Sequence, residues 1–255
     1  MTDLTDAQLD RYARHIILPH IGGAGQAKLL DAHVAVVGAG GIGCPALQYL
    51  AAAGVGRITI IDDDNVSLSN LQRQVLFSES DIGTPKVKAA KTALAKINPD
   101  VEVAALGERL SADNGANMLA GVDIVLDGTD NFAARLAVND LCHKLKTPLV
   151  SAAIGQFQGQ IGTFYGWRDD APCYRCFVGD AFDAEDCDTC AENGVLGAIV
   201  GMMGSFAAME AIRVLTGFGE EQTGRLHVFD GLKPAMRTMK LHKDAACSTC
   251  GTISG

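Results

Sequence analysis

The chain has 255 residues, 48% of them hydrophobic and 20% charged, with a formal net charge of −9. That balance is globular rather than disordered, and the length allows a substantial core. The acidic surplus disfavours a basic surface for nucleic acid. Eight cysteines behind a polar, acidic N-terminus indicate a cytoplasmic protein with reduced thiols rather than a secreted disulfide framework.

Thr5 reads as the N-cap of a first helix, with Gln8 placed for a capping box and Leu9, Tyr12, Ala13, Ile16 and Ile17 forming an apolar stripe. Pro19, Gly22 and Gly23 break it. His33 to Val37 is a short apolar strand running into Gly38-Ala39-Gly40-Gly41-Ile42-Gly43, and an alanine-rich helix follows from about Cys44 to Ala53. Arg57 to Ile61 is the next strand and ends in Asp62, Asp63 and Asp64. A polar loop then carries Ser69-Asn70-Leu71-Gln72-Arg73-Gln74, and Thr84-Pro85 opens another helix. Further strands are expected at Val101 to Ala105, Asp123 to Leu126 and Leu149 to Ala153. This alternation predicts an α/β fold, a doubly wound, Rossmann-like, mostly parallel sheet.

After Ile154 the texture changes. Gln156 to Trp167 reads as paired strands bent at Gly159 and Gly162, and Arg225 to Asp230 and Ala235 to Leu241 read as late strands. The apolar run Gly194 to Met209 is glycine-rich and short for a membrane span, so it is read as a buried helix with no membrane role. No linker or repeat separates the halves. The expectation is one domain over 1–255, with about 1–153 binding nucleotide and about 154–255 forming a β-containing extension.

A strand, Gly38-x-Gly40-x-x-Gly43 and then a helix is the context in which such a loop approaches a phosphate or ribose. Asp62, at the end of the second strand, suits ribose hydroxyls. Up to that point a nicotinamide-dependent oxidoreductase would look the same. The residues beyond it differ: Arg73 and Lys86, with Lys88 nearby, suit a triphosphate and charge moving onto pyrophosphate, which hydride transfer does not generate. Asp127-Gly128-Thr129-Asp130-Asn131 falls where a strand meets a helix, and a carboxylate there can hold Mg²⁺. Each charge alone reads as a solvated surface residue; their convergence on one sheet edge favours a site.

Cys173-x-x-Cys176 and Cys247-x-x-Cys250 can form a closed tetrahedral zinc site that staples the C-terminal tail to the body. Cys187-x-x-Cys190 is a third pair competing for that site. Cys44 and Cys142, on expected helices, read as small core residues.

Together these segments, with Arg11-Tyr12-Ala13-Arg14-His15 and Gly83-Thr84-Pro85-Lys86, resemble the MoeB/ThiF adenylyltransferase branch of the ubiquitin-activating-enzyme superfamily over nearly the whole chain. The resemblance implies that Gly41 lies against ATP, Asp62 on its ribose, and Asn70, Arg73 and Lys86 around its phosphates. Ser69, Leu71, Gln72 and Gln74 fall within the same nucleotide-binding stretch. Asp130 is implied to bind Mg²⁺ with Asn131 beside it, and Arg14 to reach the nucleotide of the other subunit of a homodimer. Zn²⁺ is implied on the first and last cysteine pairs, and Cys190 in a loop cysteine position that forms a persulfide link in the thiamin branch. Cys187 has no implied role. The implied reaction is adenylation of the C-terminal Gly-Gly carboxylate of a small ubiquitin-like sulfur-carrier protein. No rhodanese-like extension follows Gly255, so sulfur is expected from a separate donor such as a cysteine desulfurase or rhodanese. A non-catalytic carrier-binding module is the remaining alternative, and adenylation of a tRNA nucleoside fits less well with the cysteine pairs and the acidic charge.

Overall fold

The computed structural model describes residues 4–179 and 194–252. In chain order the elements are α1 (Asp6–Arg11), α2 (Ala13–Ile16), α3 (Gly22–Asp31), β1 (His33–Val37), α4 (Gly43–Ala52), β2 (Arg57–Ile61), α5 (Lys86–Ile97), β3 (Glu102–Leu106), α6 (Gly115–Met118), β4 (Ile124–Asp127), α7 (Phe132–Leu145), β5 (Leu149–Gly155), β6 (Gln158–Phe164), α8 (Tyr174–Val178), α9 (Gly197–Thr216), β7 (Arg225–Asp230) and β8 (Ala235–Lys240). The strands form one eight-stranded sheet in the order β3-β2-β1-β4-β5-β6-β7-β8. From β3 to β5 the pairing is parallel, and from β5 to β8 it is antiparallel. The late strands therefore prolong the nucleotide-type sheet instead of forming a separate layer.

Alternation along the strands divides the core into two faces. Val34, Val36, Ile58, Ile60, Ile124 and Leu126 pack with Leu29 of α3, Leu47 and Leu50 of α4, Leu94 of α5 and Met203 of α9. Ala35, Val37, Val125 and Leu149 pack on the other face with Val138 and Leu141 of α7 and Tyr174 of α8. Strands covered on both faces need apolar residues at nearly every position, as β1, β2 and β4 have. Cys44 and Cys142 are buried in these two clusters, and burial pushes the Cys44 thiol up to about 12. The helix α9 has the length and hydropathy of a membrane span, and it packs against α4, α3, β5 and β6.

Three details depart from the sequence reading. Gly22 and Gly23 begin α3 instead of only ending a helix. Their low helix propensity is offset by packing, with Leu29 fully buried and Gly25 pressed on Ile21 and Thr216. Gly159 and Gly162 lie inside β6, whose pairing with β5 runs through both without a break; Met203 lies against Gly159, where a side chain would collide. Apart from Tyr12, the N-terminal stripe is also left largely uncovered. The capping box of Thr5 and Gln8 forms, but the helix breaks at Tyr12, and Leu9, Ile17 and Leu18 stay 44%, 67% and 46% exposed.

Tyr12 is the buried anchor of this segment, packed against Gly54, while Arg11 donates to Ile97 O at 3.2 Å and His15 Nδ1 lies 3.1 Å from Gln26 Oε1. The Tyr12 hydroxyl accepts from Asn98 Nδ2 at 2.8 Å, and the same amide donates to Ala51 O at 2.9 Å. Tyr12→Phe removes one buried hydrogen bond and little volume. The expected cost is about 1 kcal/mol, read as a lower urea midpoint with an unchanged slope.

Candidate functional site

A cavity of about 640 Å³ opens at the carboxyl ends of the parallel strands, where strand order reverses between β1 and β4. Gly38 makes the turn after β1 with φ +91°, and a Cβ on Gly43 would strike the Gly38 carbonyl. Only glycine lets α4 start so close to the strand. The N-terminus of α7 reaches the same cavity, capped by Asn131 Oδ1, which accepts from Ala134 N at 2.8 Å. Two helix N-termini therefore direct positive potential at one space, a setting for a polyanion.

Asp62 stands at the end of β2. Its Oδ2 accepts from Ala39 N at 2.7 Å and its Oδ1 from Asp64 N at 2.9 Å. Burial raises its carboxyl above the usual carboxylate range, opposed by the Lys86 charge. The Lys86 side chain is 6% exposed, and its Nζ pairs with Asp64 Oδ2 at 2.8 Å. The loop after β2 folds into a short 3-10 turn, Leu68–Asn70, and Asn70 O accepts from Arg73 N and Gln74 N. Arg73 Nη1 donates to Ser69 O at 3.1 Å. Gln74 is buried, lines the cavity, and its Oε1 has no hydrogen-bond partner among the described residues.

On the β4 side, Asp127 is fully buried and serves the loop itself. It accepts from Ser151 Oγ at 2.8 Å, and from Thr129 N and Oγ1 at 3.0 and 2.7 Å. Asp130 is exposed to the cavity, with Asn131 Nδ2 donating to its Oδ1 at 3.4 Å. Buried Arg135 donates to Ala152 O at 2.9 Å and to Thr129 O, which fastens this loop to β5.

Of the residues singled out in the sequence, Gly41, Asp62, Asn70, Arg73, Gln74, Lys86, Asp130 and Asn131 all line this cavity. Ser69, Leu71 and Gln72 are not part of its lining: Ser69 supports Arg73, and Leu71 packs on the core. Lys88 and Arg14 are exposed outside it, Arg14 on α2. Cys187 and Cys190 lie outside the described residues. Sequence reasoning missed the roles of Asp64 and Arg135. The signals were present, as an acidic run ending β2 and an arginine among apolar residues one turn into α7. The lining brings the cations Arg73, Lys86, Arg109 and Arg135 together with the carboxylates Asp62, Asp63, Asp64, Glu108 and Asp130 and the unpartnered Gln74 acceptor, an arrangement that fits a nucleoside polyphosphate with a divalent cation.

A second constellation lies at the far end of α7. Cys173 caps α8, Cys176 lies within it, and Cys247 and Cys250 approach from the tail, the four sulfurs all within 4.8 Å of one another. Separations of 3.6 Å (Cys173–Cys247), 3.9 Å (Cys173–Cys176) and 3.3 Å (Cys176–Cys250) are close to the spacing of about 3.8 Å that a tetrahedral zinc with bonds of about 2.3 Å requires. The neighbouring Cys173 sulfur and the Asp244 N–H, which both bond to Cys176 Sγ, hold its thiol below the ordinary range. Arg175 and Thr249 both bond to Asp140 of α7, at 2.8 and 2.6 Å, which joins the tail to the body independently of any metal.

Comparison with known proteins matches residues 12–249 to the family model described as ThiF family. The chain is 43% identical over 251 residues to the molybdopterin-synthase adenylyltransferase of Salmonella typhimurium, covering 98% of this chain and 100% of that protein. It is 42% identical to the sulfur carrier protein adenylyltransferase of Thermus thermophilus, covering 97% and 92% respectively. Among solved structures, E. coli MccB with MccA-N7isoASN shares the fold with a TM-score of 0.82 at 22% identity, over 94% of this chain and 74% of that one.

Proposed function

The chain belongs to the ThiF family, and from that membership we propose that it is an adenylyltransferase that uses ATP to activate the C-terminal Gly-Gly carboxylate of a small ubiquitin-like sulfur-carrier protein. The observation that carries this reading is the convergence of Arg73, Lys86 and Asp130 on the glycine loop within one cavity. A dinucleotide oxidoreductase has no use for that set. The names of the relatives, which adenylate molybdopterin synthase or a sulfur carrier protein, support the substrate class.

In the proposed reaction a carrier carboxylate oxygen attacks the α-phosphorus of ATP. The new P–O bond forms as the bond to the bridging oxygen breaks, and pyrophosphate leaves with that electron pair, giving an acyl-adenylate. Asp62 receives the ribose hydroxyls, and the N-termini of α4 and α7 face the phosphates. Arg73 and Lys86 neutralise the charge that grows on the leaving group, while Asp64 keeps the Lys86 ammonium at the cavity wall. Asp130, with Asn131 beside it, would hold Mg²⁺, which supplies further neutralisation of the phosphates. The carboxylate is already a nucleophile, so alignment and charge neutralisation supply most of the acceleration.

The proposal extends to a homodimer in which Arg14 completes the partner's site. Its support is the uncovered apolar surface of Leu9, Ile17 and Leu18 on the segment that carries Arg14. It extends also to structural Zn²⁺ on Cys173, Cys176, Cys247 and Cys250, where the sulfur spacing fits. A site of reduced thiolates accords with a cytoplasmic setting.

Arg73→Ala and Asp130→Ala are each expected to abolish carrier-dependent ATP–pyrophosphate exchange without altering circular dichroism or Tm; near-normal exchange in both would refute the assignment. Elemental analysis of the purified chain should return one zinc per subunit, and Cys250→Ser should lose the metal and lower Tm. Arg14→Ala and Arg73→Ala homodimers should each be inactive. Mixed and re-equilibrated, they should recover exchange, since one of the two sites in a heterodimer is then intact; no recovery would remove Arg14 from the shared site.

A further inference from the structure

The first and last cysteine pairs each hold a polar side chain between their two sulfurs, Arg175 in one and Thr249 in the other. These two meet each other and one carboxylate. Arg175 Nε donates to Thr249 Oγ1 at 2.7 Å, Thr249 Oγ1 donates to Asp140 Oδ1 at 2.6 Å, and Arg175 Nη2 donates to Asp140 Oδ2 at 2.8 Å. The three side chains close a ring of hydrogen bonds that uses no sulfur. Asp140 belongs to α7, and its neighbour Asn139 adds two more bonds. Asn139 Oδ1 accepts from Tyr174 N at 2.8 Å, and Asn139 Nδ2 donates to Asp140 Oδ1 at 3.0 Å.

A single ion pair whose carboxylate is 46% exposed would count for little. The ring differs, because one guanidinium, only 15% exposed, donates in two directions at once and so fixes the relative orientation of both partners. Arg175 directly precedes Cys176, and Thr249 directly precedes Cys250. Holding those two side chains together therefore holds the adjoining sulfurs, which stand 3.3 Å apart. Upstream in the tail, Lys243 Nζ donates to the carbonyls of Gly166 and Arg168 at 3.3 and 2.8 Å. The tail is thus fastened on both sides of Cys247 by bonds that need no ion. In many small metal domains the ion itself assembles the ligands, so that binding and folding are one event. Here the protein supplies that assembly.

We propose that Asp140 is the positioning residue of the cysteine site: it clasps both cysteine loops to α7 and keeps the four sulfurs assembled, so that the metal exchanges while the tail stays docked. This inference rests on the metal reading of the four cysteines and not on the adenylation chemistry.

The test uses the full chain, with zinc competed against a chromogenic chelator and hydrogen exchange followed over residues 241–252. Chelator-stripped wild type should keep its tail amides protected. Asp140→Ala should bind zinc at least about tenfold more weakly; its tail should lose protection when stripped and regain it when zinc is restored. Thr249→Val removes only a hydroxyl from the ring and serves if the first variant fails to fold. It should also weaken zinc binding, and combining it with Asp140→Ala should cost little more, because both break the same ring. Asp140→Asn retains one acceptor oxygen and should fall between the wild type and Asp140→Ala. Wild-type zinc affinity in Asp140→Ala and Thr249→Val overturns the role of Asp140, as does a stripped wild type whose tail amides exchange freely. A wild type that takes up no zinc overturns the metal reading as well.

Discussion

The geometry of the nucleotide cavity depends on the backbone contact between the turn after β1 and the turn after β4. Gly38, at positive φ, lies against the Gly128 carbonyl, while Gly128 N donates to Val37 O at 2.9 Å. No side chain intervenes, so the N-termini of α4 and α7 converge on one space. The other groups are held from that joint: Asp62 by the Ala39 amide, the Asp130 loop by Asp127 and Arg135, and Lys86 by Asp64. A side chain at Gly38, strained by the positive φ and pressed on the Gly128 carbonyl, would part the turns and disperse charges whose function is to act together.

Much of this was legible in the sequence because it depends on local rules. The apolar runs at His33–Val37 and Arg57–Ile61 are strands with the expected bounds, since parallel strands buried on both faces leave an unbroken apolar signature. The glycine loop between strand and helix announced a nucleotide-type crevice. Other features depend on tertiary partners. α3 begins with two glycines and exists because Leu29 and Gly25 are packed from outside. The N-terminal stripe has helical periodicity, yet periodicity does not say what will cover it. Neither does the spacing of Asp62, Asp63 and Asp64 reveal which carboxylate meets Lys86, because the pairing is set by how the loop between β2 and α5 folds back.

The two constellations share α7. Its first turn carries Asn131 and Arg135 at the nucleotide cavity, and its second half carries Asn139, which accepts from Tyr174 N at 2.8 Å, and Asp140, which holds Arg175 and Thr249. The cysteine cluster is therefore braced against the helix that positions the Asp130 loop. Three cysteine pairs in the sequence left that choice to family resemblance; among the described residues, the folded chain brings the first and last pairs together.

That cluster also orders events in time. Cys173 and Cys247 are 74 residues apart, as are Cys176 and Cys250. Closing so long a loop is opposed by chain entropy, a cost that prior folding of the intervening segments lowers. During synthesis, every strand from β1 to β8 leaves the ribosome before Cys250 does. The parallel half can collapse early on local βαβ contacts. The tail is left to fasten an already folded body, so the cluster marks the completion of assembly rather than its nucleus.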